Sequence, residues 1–335
     1  MQRRNTILFT LFAVAAGALF VADIALGSVD IPLRDVVAAL TGGKADASVR
    51  SIVLDIRLVK AIMALLAGVA LSVSGLQMQT LFRNPLAGPY VLGVSAGASF
   101  GVALFLLGAP LLGIASHPAV QTIGTAGAAW IGAATVLLLV MSLARRIKDI
   151  MVILILGMML SSAIGAAVEI LQYLSNEASL KSFVVWTMGS LGDVTYTQLS
   201  IIAPVILAGI VLAVVAIKPM NMLLLGENYA RTMGLNLRRT QRTIFLSTTL
   251  LAGTITAFCG PIGFVGLAVP HLARMIFVSA DHRVLVPASL LIGVVMMLLC
   301  DVIAKALTLP INTITALMGI PIVIYIVTRN RSLFR

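Results

Sequence analysis

Residues Lys218 to Arg242, KPMNMLLLGENYARTMGLNLRRTQR, are the most strongly basic polar segment between two long blocks of apolar sequence. Lys218, Arg231, Arg238, Arg239 and Arg242 face a single acid, Glu227. About five apolar spans lie on each side by the reading below. A basic loop between hydrophobic spans belongs on the cytoplasmic side, where Lys and Arg in short loops are retained. Leu223, Leu224, Leu225, Tyr229, Ala230, Met233 and Leu235 recur at roughly helical spacing within it. The segment therefore reads as a short amphipathic helix outside the bilayer, offered to a partner. An ordinary cytoplasmic loop carries the same charges, and periodicity alone does not separate the two.

The surrounding composition requires a lipid solvent. The chain is 60% hydrophobic and 10% charged over 335 residues, with a mean hydropathy of +1.10, whereas soluble domains carry about 25% charged residues. A net charge of +11 would suit nucleic acid. Here the charges sit between apolar runs, where they orient the chain in a membrane, so no nucleic-acid partner is expected. Cys259 and Cys300 fall inside apolar runs and read as packing residues. His117, His271 and His282 show no metal-ligand spacing, and no metal site is expected.

Taken in order, the chain reads as an all-α membrane protein of about ten transmembrane helices. Arg3 and Arg4 precede an apolar run from Ile7 to Leu26, longer than the core of a cleaved signal peptide and read as span 1. Asp30 to Arg57 mixes both charges, suits the outer face, and includes a short surface helix over Pro32 to Leu40. Spans 2 to 5 cover Val59–Leu81, Val91–Leu107, Val120–Leu143 and Ile150–Leu174. Arg145, Arg146, Lys148 and Asp149 mark the cytoplasmic side between spans 4 and 5. Phe183 to Met188 is too short to cross and reads as a re-entrant or surface helix. Span 6 covers Leu199–Ile217 and span 7 Thr243–Cys259, after which Gly260-Pro261-Ile262-Gly263 breaks the helix. Span 8 reaches Val278, span 9 covers Val284–Ala306 and span 10 Ile311–Val327. Both termini then lie in the cytoplasm, together with most of the 23 Lys and Arg, including Arg329, Arg331 and Arg335.

A shift of 185 residues carries Arg57 onto Arg242, Leu66-Ala67-Gly68 onto Leu251-Ala252-Gly253, Gly75 onto Gly260 and Pro85 onto Pro270. Span 2 thereby maps onto span 7, an odd number of crossings later, so the copies run in opposite directions. Such an inverted internal repeat is a transporter architecture. The chain reads as a single permease domain over 1–335, with repeat-like halves at about 57–174 and 242–328 joined through 218–242.

Ionisable groups within spans are functional candidates because they are costly there. Asp23, Glu169 and Asp301 fall near outer span ends, where water or headgroups can solvate them. Gly157, Ser161, Gly165 and Glu169 recur every fourth residue along one face of span 5. Small residues so spaced serve close helix packing or line a path, and the spacing leaves both open. Gly319-Ile320-Pro321 suits a local break in span 10. Arg274, one turn from His271, reaches the interface by snorkelling. Gly42-Gly43-Lys44 is no phosphate loop, since Ala38 and Ala45 stand where a Gly and a Ser or Thr are needed. No catalytic constellation is present, so an ATP-driven process here needs another subunit to bind ATP and magnesium.

Arg83-Asn84-Pro85-Leu86-Ala87-Gly88-Pro89, followed by Leu92-Gly93-Val94-Ser95-Ala96-Gly97-Ala98, resembles a signature of the FecCD permease family. These are membrane subunits of ABC importers for ferric siderophores, haem and vitamin B12. Gly260 to Leu267 with Pro270, His271 and Arg274, then Asp281-His282-Arg283, is similar to a second signature, and Leu309-Pro310 to Gly319-Ile320-Pro321 to a third. The resemblance runs from about Arg57 to Arg331. It implies a homodimer of ten-helix subunits, two ATP-binding cassette subunits, and a periplasmic or lipid-anchored substrate-binding protein, in the cytoplasmic (inner) membrane. It also implies that the loop holding Gly226, Glu227, Asn228, Ala230, Arg231, Met233 and Gly234 docks on the ATPase. Helices 5 and 10 would line the path, which adds Asn312 and Thr315 to Gly157, Ser161, Gly165 and Glu169. The short helix around Leu180 to Met188 would join them. Arg57, Lys60 and Lys305 match outer-face positions that pair with acids of the binding protein. Lys60 and Lys305 stand where Arg is usual and lose its bidentate fork. Asn312 replaces a frequent Gly.

The implied function is a permease subunit that moves an iron chelate, a ferric siderophore or haem, by alternating access, with no ATPase site and no cofactor of its own. Vitamin B12 as cargo is the alternative. An ion-coupled secondary transporter needs an acid at mid-bilayer, which the sequence does not place.

Overall fold

The structure, a computed structural model, describes residues 2–27, 29–91, 93–114, 117–144, 147 and 150–329. Leu92, the group Arg145, Arg146, Lys148 and Asp149, and the terminal Arg331 and Arg335 lie outside the described residues. The fold is all-helical, with no strand among the described residues. In order the helices are α1 (Gln2–Ala25), α2 (Leu33–Thr41), α3 (Ala47–Ser51), α4 (Val59–Leu81), α5 (Val94–Ala103), α6 (Ala109–Leu111), α7 (Pro118–Ala144), α8 (Ile150–Leu174) and α9 (Glu177–Thr187). Then follow α10 (Tyr196–Val215), α11 (Ile217–Leu223), α12 (Glu227–Thr232), α13 (Leu237–Thr248), α14 (Thr254–Cys259), α15 (Val265–Phe277), α16 (His282–Leu307) and α17 (Ile311–Arg329). Wide π turns over Ile52–Leu58, Leu104–Gly108 and Thr249–Gly253 join α3 to α4, α5 to α6 and α13 to α14.

Seven helical stretches among the described residues are long and apolar enough to cross a membrane: Arg3–Ala25, Val94–Leu111, Gly124–Leu143, Met151–Leu174, Tyr196–Val215, Leu237–Cys259 and His282–Leu307. Helix α4 is 23 residues long with Lys60 its lone charge. Val265–Phe277 and Ile311–Tyr325 are shorter apolar helices. At 13 residues, α15 rises only about 20 Å, less than a hydrocarbon core, because Gly260 to Phe264 are not helical. Span 7 begins earlier than hydropathy suggests: α13 starts at Leu237, inside the basic segment, and runs on to Cys259 through the π turn and α14. Helix α17 continues through Pro321 without the expected break.

The chain divides into two compact units. The first comprises Met1–Leu76, Ser190–Pro204 and Gly263–Arg335. Its helices meet through glycines. Any Cβ on Gly68 would strike the Gly293 carbonyl, and one on Gly293 the Gly68 carbonyl, so α4 and α16 touch backbone to backbone. Gly75 abuts the Gly266 carbonyl of α15 in the same way. That carbonyl has lost its helical donor, since Pro270 four residues later has no N–H. A weak Cα–H contact from Gly75 is the physical substitute. Beside the C-terminal end of α1, Ile24, Val36, Ala39, Val53 and Ala61 form a small apolar core under α2 and α3.

The second unit comprises Gln77–Gly189 and Val205–Ile262. Gly97 and Gly101 of α5 lie against Ala128 and Gly132 of α7, again with no room for a Cβ. A buried polar knot ties three elements. The Gln77 side chain donates to Ser247 Oγ (3.0 Å), Ser247 Oγ donates to the Gly209 carbonyl (2.7 Å), and Thr248 Oγ1 donates to Gln77 Oε1 (3.3 Å). All four polar groups are paired inside, as an apolar interior demands.

Candidate functional site

The basic segment Lys218–Arg242 is two short helices and the start of a third. Helix α11 follows α10 directly and buries Met220 and Leu223. The chain reverses at Gly226, whose φ of 99° and ψ of 153° suit glycine alone. Helix α12 follows. It closes with paired bonds from Leu235 N–H to the Ala230 carbonyl and from Gly234 N–H to Arg231, with Gly234 left-handed at φ 85°. This is the Schellman termination, and it satisfies carbonyls a helix end leaves open. Asn236 then caps α13 by accepting from Arg239 N–H at 3.0 Å.

Ala230 is the only residue of α12 that is buried. Glu227 and Arg231 sit one turn apart at 3.7 Å, with the acid at the N-terminal and the base at the C-terminal end, as the helix dipole favours. At 3.7 Å, with Arg231 half exposed and Glu227 partly so, the pair adds little to stability. Leu225, Tyr229 and Met233, four residues apart, are 60%, 61% and 51% exposed. The apolar periodicity in the sequence is thus split. Leu223 and Ala230 face inward, and this triplet faces out beside the charges. A groove lined by Phe82, Arg83, Met151, Gly226, Glu227 and Tyr229 flanks α12. Arg83 belongs to the first signature, so two motifs distant in sequence share this surface.

The remaining candidate residues fall in three places. On α8, Ser161 Oγ donates to its own helix at the Gly157 carbonyl (2.8 Å), and Gly93 lies close to Ser161 and to the Gly157 carbonyl. Gly165 has nothing within 4 Å of a Cβ, and Glu169 is exposed. The stripe therefore packs at one end and stands open at the other. In the second unit, Tyr90 Oη of the first signature donates to the Ile262 carbonyl of the second (3.0 Å), and burial pushes its phenol above the usual range. Gly260, at φ 73°, presses on the Trp186 carbonyl. In the first unit, Gly263 N–H donates to Asn312 Oδ1 at 2.9 Å, joining the second signature to the third. Thr315 is wholly buried and donates to the Asn312 carbonyl.

Lys60 and Lys305, near Arg57, meet two acids, Asp23 and Asp301, whose places near span ends suggest water or headgroups as partners. Asp23 and Asp301 are 0% and 1% exposed. Lys305 Nζ lies 2.9 Å from each carboxylate, and Lys60 Nζ 3.1 Å from Asp301. Arg57 is buried and donates to the carbonyls of Ile24, Ala25 and Val29. Arg57 and Lys305 thus meet the C-terminal end of α1, where free carbonyls carry partial negative charge, and Lys60 joins them through Asp301. A paired acid rather than a solvated one follows from burial, since an isolated carboxylate cannot remain charged there. The pairing was hidden because Asp23 and Lys305 are 282 residues apart. No group of His, Cys, Asp or Glu able to hold a metal occurs among the described residues.

Residues 13–329 match the model of the FecCD transport family. The hemin transport system permease protein HmuU of Yersinia pestis is 36% identical over 287 residues, covering 83% of both chains. The vitamin B12 import system permease protein BtuC of Citrobacter koseri is 36% identical over 281 residues, again 83% of both. Among solved structures, a metal-chelate type ABC transporter in an inward-facing conformation superposes with a TM-score of 0.82 at 29% identity, covering 97% of this chain and 99% of that one. With three signatures meeting in the fold and the family match spanning nearly the whole chain, the protein belongs to the FecCD transport family and is a multi-pass permease subunit of an ABC importer, the subunit type that lacks the ATPase domain.

Proposed function

We propose that this permease works as a homodimer with two ATP-binding cassette subunits and a substrate-binding protein, and that it moves an iron chelate, ferric siderophore or haem, into the cytoplasm by alternating access. Both termini and the α11–α13 segment face the cytoplasm in this reading, and the halves 57–174 and 242–328 act as an inverted repeat. Gly226, Glu227, Asn228, Ala230, Arg231, Met233 and Gly234 form the contact with the ATPase. The observation that carries the reading is the exposed face of α12. Leu225, Tyr229 and Met233 present apolar area beside Glu227 and Arg231, a mixture typical of protein interfaces. Gly157, Ser161, Gly165, Glu169, Asn312 and Thr315 belong to the helices bordering the path. Arg57, Lys60 and Lys305 support the face that receives the binding protein.

The test replaces Glu227 and Arg231 with Ala and measures co-purification of the ATPase and ATP-dependent uptake. Their mutual ion pair is long and partly exposed, so its loss costs little folding stability, and loss of both assembly and uptake is expected. Unchanged assembly and uptake overturn the docking assignment. Vitamin B12 is the second reading, favoured by the similarity to the BtuC protein. Retention of hemin, a ferric siderophore or cyanocobalamin by the co-purified binding protein distinguishes the cargoes.

A further inference from the structure

Phe264 has φ 64° and ψ −33°. Val278 and Thr308 also have positive φ, but with ψ of 50° and 39° they are left-handed helix C-caps. Phe264 is different. Val265 N–H donates back to the Gly263 carbonyl at 2.8 Å, two residues earlier. This closes a three-residue γ-turn of the rare hand, strained for any residue with a Cβ and more so for a bulky one. The first turn of α15 hangs from this residue, because the Phe264 carbonyl accepts from Leu267 N–H (3.0 Å) and Ala268 N–H (2.8 Å).

Strain persists only where neighbours over-determine it. Two residues of α17, seven apart and on one face, do so here. Asn312 Oδ1 holds Gly263 N–H at 2.9 Å. Gly319 leaves room for Phe264, since any Cβ there would clash with the Phe264 Cβ. Asn312 stands where the family resemblance leads one to expect Gly, which has no side chain to make this bond.

We propose that Phe264 is a positioning residue of the transport cycle. Its turn has a strained and a relaxed conformation, the seat formed by Asn312 and Gly319 holds the strained one, and release of the seat lets α15 shift against α17. The proposal rests on the ATP-driven transport reading above. All four residues lie within the first unit. The strain sits at the junction of a broken helix, and packed elements of this kind change by switching rather than by bending.

Two measurements test it. The first is a double-mutant cycle on the melting temperature of the purified permease. Gly→Ala within a helix ordinarily stabilises. Gly319→Ala is expected instead to lower the melting temperature, and Phe264→Gly in the same chain to restore it, since Gly adopts the turn freely and removes the clash. Additive effects of the two substitutions overturn the seat. The second uses spin labels on Met275→Cys of α15 and Leu317→Cys of α17, both exposed, with both native cysteines buried. In the complex with its ATPase, the inter-label distance is expected to differ between the nucleotide-free and ATP–vanadate states. Gly319→Ala is expected to abolish that difference, and Gly319→Ala with Phe264→Gly to return it. A distance that does not change in the otherwise native complex, or a change that survives Gly319→Ala, overturns the hinge. Neither readout uses a substrate. Failure of hemin, ferric siderophore and cyanocobalamin uptake alongside a normal distance change would therefore count against the cargo reading and leave the hinge standing.

Discussion

Lys305 Nζ lies 2.9 Å from the Asp23 carboxylate and 2.9 Å from the Asp23 backbone carbonyl, so one ammonium holds both the side chain and the main chain of the last turn of α1. The same ammonium reaches Asp301, one turn earlier on its own helix, at 2.9 Å. Helix α1 needs such an anchor, because its apolar stretch is mostly exposed to the surroundings. At its other end Arg4 donates to the Phe277 carbonyl, and Phe9 packs on the Phe277 ring at 4.7 Å.

Lys305→Met is expected to destabilise strongly, since it leaves Asp23 buried without a cation. Breaking one partner of a buried pair costs about 3–5 kcal/mol. The double variant Lys305→Met with Asp23→Leu is expected to be milder than Lys305→Met alone, because Asp301 keeps Lys60 at 3.1 Å. Thermal unfolding of the detergent-purified protein reads both. A double variant as damaged as the sum of the singles would show that the pair does not act as a unit.

Gly75→Ala is expected to be among the most damaging small substitutions in the chain. Its Cβ would fall on the backbone of Gly266, which no rotamer change can relieve. Overpacking of this kind costs about 1–3 kcal/mol or more. Gly17→Ala is the control, because nothing lies within 4 Å of its Cβ, and helix propensity makes it neutral or slightly stabilising. Expression yield and melting temperature of the two variants should therefore move in opposite directions or differ widely.

Gln77→Leu is expected to cost about 1–2 kcal/mol, the scale of an interhelical side-chain bond among apolar helices. It removes the bonds to Ser247 and Thr248 and leaves the Ser247–Gly209 bond intact. Ser247→Ala removes that bond and the one from Gln77, leaves Thr248 on Gln77, and is expected to loosen α10 from α13. Hydrogen exchange of the α13 amides, faster in Ser247→Ala than in Gln77→Leu, is the check.

These positions also show what a sequence reading reaches. Helix α4 begins at Val59 and ends at Leu81, bounds that hydropathy marks because Arg57 and Arg83 flank an apolar run. Helix α13 starts well before the expected span, because Arg238, Arg239 and Arg242 lie on its exposed side and mask the buried Leu237, Ile244 and Phe245. Helix α9 is eleven residues long, but only its last turns are apolar enough to be noticed. The π turns carry no composition signal at all. Motif resemblance points to the α11–α13 segment, whereas the contact of Asp23 with Lys305 and the seat of Phe264 depend on side chains far apart in the chain.

Gly226→Ala addresses the proposed ATPase contact without touching its charges. At φ 99° and ψ 153°, a residue with a Cβ is strained by about 1–3 kcal/mol. Gly226 has open space around it, since a Cβ there would meet only the Arg83 guanidinium, at 3.7 Å. Backbone conformation rather than crowding therefore carries the effect. The turn must then relax, which re-aims α12 and displaces Tyr229 and Met233 relative to Leu225. Helices α10 and α13 stay joined through Ser247 and Gly209, so the melting temperature is expected to change little while ATPase co-purification and uptake fall. If uptake persisted with α12 amide exchange visibly faster, the orientation of α12 would not be what the ATPase recognises.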